Sequence, residues 1–267
     1  MKLKLGIFDS GIGGFTILNS LLVKNKDVEV LYLGDIERNP YGEKKTEEIR
    51  IIASEICDWF NDKNLDALLV ACNTTNSSAL DIIQDRLKIP CFDLINSVTE
   101  VISTNRIGVL GTSATVKSSS YKNIIESKYK NIKVFQQSCP EFVSEIEKVN
   151  LNFERINQLS EIYLKPILAN NIQEIILGCS HYPLIYDILR SKIPSEIKII
   201  DPSIALINKF NKYFNNEVKS SKEKPSYADV NFFVTGKIEE FSIKVSNWLE
   251  INKKISLVNL RTDTRFP

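Results

Sequence analysis

Short apolar runs ending in small or polar residues alternate along this chain with longer amphipathic stretches, the pattern of a parallel sheet covered by helices. "LKLGIFDSG", "VEVLYLGD", "LDALLVACNT" and "IPCFDLI" predict four strands in the first half, and "RIGVLGTSAT", "IKVFQQSCP", "IQEIILGCSH" and "IKIIDPS" four more in the second. The amphipathic segments between them predict helices, among them Thr46 to Asn61 and Phe153 to Ala169. After "IIDPS", the stretch "ALINKFNKYFNNEVKSSKEKPS" predicts a helix and then a polar loop, and "VNFFVTG" and "FSIKVSNWLEI" a strand and a helix. That tail is too short for a third domain and is expected to pack on the first lobe.

The two sets of strands correspond in order. "GIFDSG" from Gly6 matches "GVLGTS" from Gly108, and "LLVACNT" matches "IILGCSH", with Gly6 and Cys72 shifted by 102 and 107 residues onto Gly108 and Cys179. Such an echo points to a duplicated lobe. The expected fold class is α/β, with two pseudo-symmetric lobes, mainly parallel central sheets and the site in the cleft between them. A pseudo-two-fold axis relating the halves would set Cys72 and Cys179 facing each other.

The length of 267 residues accommodates two such lobes, and 43% hydrophobic with 25% charged residues is the balance of a globular protein. Lys and Arg total 34 against 33 Asp and Glu, so no global field recruits nucleic acid or an anionic membrane. "MKLKLGIFDSGIGG" holds no signal-peptide core, and no apolar run approaches the roughly 20 residues of a membrane span, so a cytoplasmic location is expected. The five cysteines, Cys57, Cys72, Cys91, Cys139 and Cys179, are odd in number and form no C-x-x-C pair, which argues against a disulfide framework or a zinc site.

Ligands of parallel sheets collect at the carboxyl ends of the strands. In "FDSGIGGFTIL", Asp9 and Ser10 close a strand, and Gly11, Gly13 and Gly14 are expected to let the backbone turn into a helix whose amides can hold an anion. A dinucleotide fingerprint would need glycine where Thr16 stands. In "ACNTTNSS", Cys72 ends a strand, and Asn73, Thr74 and Thr75 lead into a helix as caps or carboxylate ligands. Backbone dipoles there are expected to draw the thiol below its usual pKa of ~8.5. "GCSHYP" repeats the form, with His181, the only histidine of the chain, two residues beyond Cys179, where an extended backbone sets both on one side. The imidazole can exchange a proton with that thiol. Cys57, Cys91 and Cys139 read as structural.

A single Cys–His pair suits acyl transfer. Two equivalent strand-end cysteines suit proton transfer at carbon, in which one base strips hydrogen from one face of a stereocentre and a conjugate acid delivers it to the other. Hydroxyls, amides and backbone N–H groups around the cleft would hold carboxylates and stabilise the carbanionic transition state.

"FDSGIGG", "GDIERNPYG", "ACNT", "GTSATVKSSSY", "CPEFV" and "GCSHYPL", in this order over essentially the whole chain, resemble the glutamate racemases. These cofactor-independent amino-acid racemases supply D-glutamate for peptidoglycan. The resemblance implies Cys72 and Cys179 as catalytic bases, Asp9 assisting the former and His181 the latter. It puts Asp9, Ser10, Tyr41, Gly42, Asn73, Thr74, Thr115, Ser180 and His181 on substrate-binding positions, and Glu147 on an acid kept near the cleft. It further implies lobes of 1–97 plus 206–267 and 98–205, a homodimer, glutamate as substrate, and no pyridoxal phosphate, metal or nucleotide. The family usually has threonine where Ser180 stands, and leucine and proline where Glu141 and Ser144 stand. Members that need a cell-wall precursor as activator tend to carry an N-terminal extension; here "GIFDSG" begins a few residues from Met1, and that dependence is not expected. Aspartate racemase, with the same two-cysteine logic, and a non-catalytic dicarboxylate-binding protein are the alternatives.

Overall fold

The computed structural model describes residues 2–215, 225–248 and 253–260. Among these described residues ten strands make two sheets, all of whose pairings are parallel. The first holds β1 (Leu3–Asp9), β2 (Val28–Gly34), β3 (Ala67–Val70), β4 (Cys91–Asp93), β9 (Val230–Val234) and β10 (Ile255–Leu257), in the order β10-β9-β2-β1-β3-β4. The second holds β5 (Arg106–Gly111), β6 (Lys133–Ser138), β7 (Glu174–Gly178) and β8 (Lys198–Ile200), in the order β6-β5-β7-β8. Every residue of β3 and β7 is buried, which is why these strands read as unbroken apolar runs: helices cover both faces of the sheet.

Two helices illustrate the covering. Thr46–Asn61 buries Ile49, Ile52, Ala53, Ile56, Cys57 and Phe60, a stripe at helical spacing, into a cluster with Phe8, Leu31, Leu33, Leu68 and Val70. Cys57 is thus a core residue, as expected. Phe153–Leu168 starts at Asn152, whose side chain accepts from the Arg155 amide, and buries Ile156, Leu159, Tyr163, Leu164 and Ile167 beside Leu110, Ile175 and Leu177.

The repeat seen in sequence is a repeat of packing. Strands β2-β1-β3-β4 and β6-β5-β7-β8 have one order. A Cβ added to Gly6 would lie 2.7 Å from Leu65 and 3.0 Å from Phe60, and one added to Gly108 would lie 2.7 Å from Ile172 and 3.1 Å from Ile167. Both glycines therefore admit the same helix and loop of their own half. Asp93, the last residue of β4, and Asp201, just after the equivalent strand β8, cap helices Leu94–Val98 and Pro202–Tyr213 by accepting from the Asn96 and Ser203 amides. The positions 97/98 and 205/206 fall inside these helices, which pack on each other and join the two sheets through the Phe92–Phe210 ring contact at 5.5 Å.

The chain then returns to the first sheet, where β9 pairs with β2 and its Phe232 packs on Phe15. A helix follows at Ile238–Ser246, beginning three residues before the expected segment; Leu249 to Ile251 of that segment, and residues 216–224 of the expected polar loop, lie outside the described residues. The edge strand β10 carries no periodic signal, being short and half exposed.

Candidate active site

The carboxyl ends of β1, β3 and β7 converge. Asp9 ends β1, and its fully buried carboxylate accepts from the Gly11 amide (2.9 Å) and, from the other half, the Ser180 hydroxyl (2.9 Å). The Cys72 thiol, after β3, donates to Ser10 Oγ at 3.7 Å. Cys179, after β7, has its sulfur 3.8 Å from His181 Nδ1; the two are adjacent as expected, but through a turn at Ser180–His181 and not through extended backbone. Both cysteines are buried and free, and each strand end meets the same turn at Asp9–Ser10.

The turn leads into helix Phe15–Lys24, as expected, but without left-handed backbone. Gly11, Gly13 and Gly14 do not adopt the left-handed region; among described glycines only Gly236 does. They are close-approach positions. A Cβ at Gly11 would lie 2.0 Å from Glu147 Oε1, at Gly13 2.4 Å from Ser180 Oγ and 2.5 Å from His181 Nδ1, and at Gly14 2.6 Å from Asp9 Cβ and 2.7 Å from Tyr32 Oη. The turn amides do hold anions, but these are the protein's own: Ile12 N–H donates to Glu147 Oε1 at 3.0 Å and Gly11 N–H to Asp9.

Cys72 and Cys179 have unlike surroundings. Burial pushes the Cys72 thiol up to about 12, and the negative charge of Asp9 adds to this, while the Thr75 hydroxyl and amide and the Ser10 hydroxyl pull it back. The expected depression is thus overturned: the strand end is closed over, and lost hydration outweighs the helix amides. His181 sits between Cys179 and Glu147, its Nε2 at 2.7 Å from Glu147 Oε1. Burial opposes the imidazolium, yet the hydrogen bonds and charges of Cys179 and Glu147 hold His181 well above its usual pKa. Burial likewise opposes ionisation of Glu147, but the bond from His181 and its charge keep that carboxyl below its usual value. Asp9 is pushed up by burial, with the His181 charge working the other way.

The remaining expected residues form a rim. Thr74 Oγ1 is 3.0 Å from Thr112 Oγ1, which also donates to Thr115 Oγ1 at 3.0 Å, so Thr115 is the inner end of a hydroxyl chain joining the halves. Asn73 is not a cap: Cys72 occupies that position, and Asn73 Oδ1 accepts from Tyr121 Oη at 2.6 Å. Tyr41 and Gly42 lie in a 3-10 turn (Tyr41–Glu43), where the Tyr41 hydroxyl donates to Asp35 and a Cβ at Gly42 would meet Thr112 at 2.7 Å. The sequence reading missed Thr112, Tyr121, Asp35 and Lys244, whose ammonium lies 3.5 Å from Glu147 Oε2. Thr112 was legible as the hydroxyl matching Ser10, and Asp35 and Tyr121 lie within the segments "GDIERNPYG" and "GTSATVKSSSY"; Lys244 carries no local signal. Among the described residues, no group of three or more His, Cys, Asp and Glu is placed to hold a metal ion, and no helix is long and apolar enough to cross a membrane.

The chain as a whole has known relatives. The Asp/Glu/Hydantoin racemase family matches residues 22–210. The glutamate racemase of Prochlorococcus marinus (strain NATL1A) is 44% identical over 260 residues, 97% of this chain and 98% of that protein. Among solved structures, the glutamate racemase of Francisella tularensis in complex with D-glutamate superposes with a TM-score of 0.85 at 31% identity, covering 98% of this chain and 99% of that one. A glutamate racemase isoform of Bacillus anthracis gives 0.84 at 27% identity, covering 96% of each chain. With the family's profile spanning most of its length and relatives matching it end to end, the chain belongs to the Asp/Glu/hydantoin racemases, among the glutamate racemases of that family.

Proposed function

We propose that the protein interconverts L- and D-glutamate by two-base proton transfer at the α-carbon. The observation that carries this reading is the pair of thiols at equivalent strand ends of two like-ordered sheets, meeting at one turn and each with its own polar partner. One thiolate removes the α-hydrogen from one face while the opposite thiol returns hydrogen to the other. Asp9 assists Cys72, and His181, steadied by Glu147, assists Cys179 by sharing its proton. The hydroxyls and amides of Ser10, Asn73, Thr74, Thr115 and Ser180, with the Tyr41–Gly42 turn, hold the carboxylates and favour the carbanionic state. No cofactor enters this scheme.

Asp9, Cys72, Cys179 and His181 are all nearly inaccessible, so glutamate gains entry by parting of the halves. Residues 1–97 plus 206–267 and 98–205 are the proposed moving units, with the paired helices Leu94–Val98 and Pro202–Tyr213 bridging them. A cytoplasmic homodimer that supplies D-glutamate for peptidoglycan is the setting in which we place this activity.

Proton NMR of the pure protein with D-glutamate in deuterated water, followed in parallel by circular dichroism, tests the reading. The expected result is decay of optical activity with deuterium entering the L product, while unreacted D-glutamate keeps its α-proton at early times. An unchanged spectrum refutes racemisation, and early deuterium in both enantiomers refutes the division between two bases. Faster turnover of aspartate than of glutamate refutes the substrate.

A further inference from the structure

Glu147 is a buried carboxylate with two unequal oxygens. Oε1 accepts from the Ile12 amide and faces His181 Nε2, whereas Oε2 is shut off from solvent and has no hydrogen bond. An unpartnered carboxylate oxygen at that depth is costly. A cation reaches it from far along the chain: Lys244 Nζ, on helix Ile238–Ser246 of the returning segment, lies 3.5 Å away and is held there by Glu240 Oε1 at 2.9 Å. The Lys244 side chain is 18% exposed, at the lip of a small recess of about 210 Å³ that it lines with Lys237, Glu240 and Phe241. Lys244, Glu147, His181 and Cys179 therefore form a continuous line from the protein surface to a strand-end thiol.

We propose that Lys244 is a positioning residue for the Cys179 half of the reaction. Its charge fixes Glu147 as a carboxylate with Oε1 turned to the imidazole, so that the proton between Glu147 and His181 resides on Nε2. Nδ1 is then presented to the Cys179 sulfur in a constant orientation. The proposal rests on the racemase reading for its purpose, but not for its test. The charged and titratable groups acting on Glu147 are His181 and Asp9 from the strand ends, Tyr32 from β2, and Lys244 and Glu240 from the C-terminal helix. Lys244 is the cation of this set that touches Glu147 without being part of the strand-end machinery. Loss of a cation favours the protonated form of every group near it, so both the Glu147 and the His181 titrations move to higher pH when Lys244 is neutralised.

Because His181 is the only histidine in the chain, labelling histidine with nitrogen-15 gives one imidazole to read. Full-length wild type, Lys244→Met, Lys244→Gln and Lys244→Arg are titrated without substrate. In the Met and Gln variants the acid step seen at Nε2, where Glu147 takes up a proton, is expected to rise by about one pH unit, while Arg leaves it in place. The acid limb of kcat/KM for glutamate moves with it, leaving a roughly tenfold deficit at the foot of that limb that closes as pH rises. Met and Gln titrations that overlay wild type overturn the proposal, as does a rate loss of the same size at every pH, the mark of a merely structural lysine. A shift in Met but not in Gln also overturns it, by assigning the effect to the hydrogen bond and not the charge. The imidazole titration needs no turnover, so an inactive wild type would sink the racemase reading while leaving this result readable.

Discussion

Gly13 is where one methyl group bears most directly on the convergence of the two halves. Its backbone is not in the left-handed region, so alanine there is free of backbone strain and the whole cost is contact. The added Cβ would lie 2.4 Å from Ser180 Oγ, 2.5 Å from His181 Nδ1 and 2.9 Å from His181 Cε1, where ordinary contact begins at 3.4 Å. A rotation of Ser180 relieves the first clash but breaks its bond to Asp9, and the ring is held on its far side by Glu147. His181 must therefore recede by about 1 Å, a displacement that costs on the order of 10²-fold when it falls on a reacting constellation. The overpacking itself costs about 1–3 kcal/mol of stability, or roughly 2–4 °C of melting temperature per kcal/mol.

Gly34→Ala is the matched control. Its Cβ would sit 3.5 Å from the Gly11 carbonyl and 3.5 Å from Tyr32, ordinary contact on the adjacent strand. Circular dichroism of D-glutamate racemisation, with melting curves of both variants, is expected to show a loss of about 100-fold in kcat/KM for Gly13→Ala and near-wild-type rate for Gly34→Ala. Gly13→Ala racemising within about threefold of wild type would mean that His181 and Ser180 need not hold this position, and the assigned role of that strand end fails.

Other expectations concern the groups around it. Glu147→Gln should lower stability most between about pH 4.5 and 6.5: the contribution of Glu147, whose pKa is depressed in the fold, fades as pH falls below 4.5, and that of His181, whose pKa is raised, fades as pH climbs above 6.5 toward its folded value. Melting curves of wild type and variant that stay parallel from pH 4 to 9 would contradict this. Asp35→Asn strips the carboxylate that accepts from Tyr41 and Arg38 through Oδ2 and from Thr235 through Oδ1, and is expected to cost about 3–5 kcal/mol in chemical denaturation and to raise KM through the loosened Tyr41 turn; an unchanged midpoint would refute it. Cys72→Ser and Cys179→Ser should each slow racemisation by about 10²–10⁴-fold, and either variant near wild-type rate would remove that thiol from the mechanism.

The core of the site was legible because its signals are local. A cysteine at the end of an apolar run is a pattern that strand geometry turns directly into position, whereas the histidine two residues past its counterpart reaches the thiol through a turn after β7 and not through extended backbone. The glycines were legible as a turn but not as close-approach positions: neighbours in sequence show that a chain could turn at "GIGG", whereas a Cβ at Gly11 is excluded chiefly by Glu147 and one at Gly13 by Ser180 and His181, more than a hundred residues away. Burial has the same character. The pKa expected for Cys72 followed from its helix amides, and the opposite result follows from its burial, with the Asp9 charge adding to it. Thr235 and Lys244 lie in a tail whose sequence reads as ordinary sheet and helix, and only the pairing of β9 with β2 brings them to Asp35 and Glu147.

The two halves share a fold but do not support their thiols alike, and the chemistry says how far that asymmetry can show. L- and D-glutamate have equal free energies in water, so the equilibrium constant is one and kcat/KM must be the same in both directions for the wild type and for every variant. Hydroxyls and an amide around Cys72, against the His181–Glu147 pair beside Cys179, therefore cannot favour one enantiomer in kcat/KM. The difference can appear only in how each direction divides that ratio between kcat and KM, since the ground state bound with a thiolate at one end is not the ground state bound with a thiolate at the other. The Cys72 thiol, pushed up to about 12 by burial, has the Ser10 and Thr75 hydroxyls and the Thr75 amide around it, whereas Cys179 has an imidazole paired with Glu147 beside it. In the proposed mechanism the repeat supplies two bases of opposite hand, and the unlike surroundings of the two thiols set how each direction divides its rate between kcat and KM.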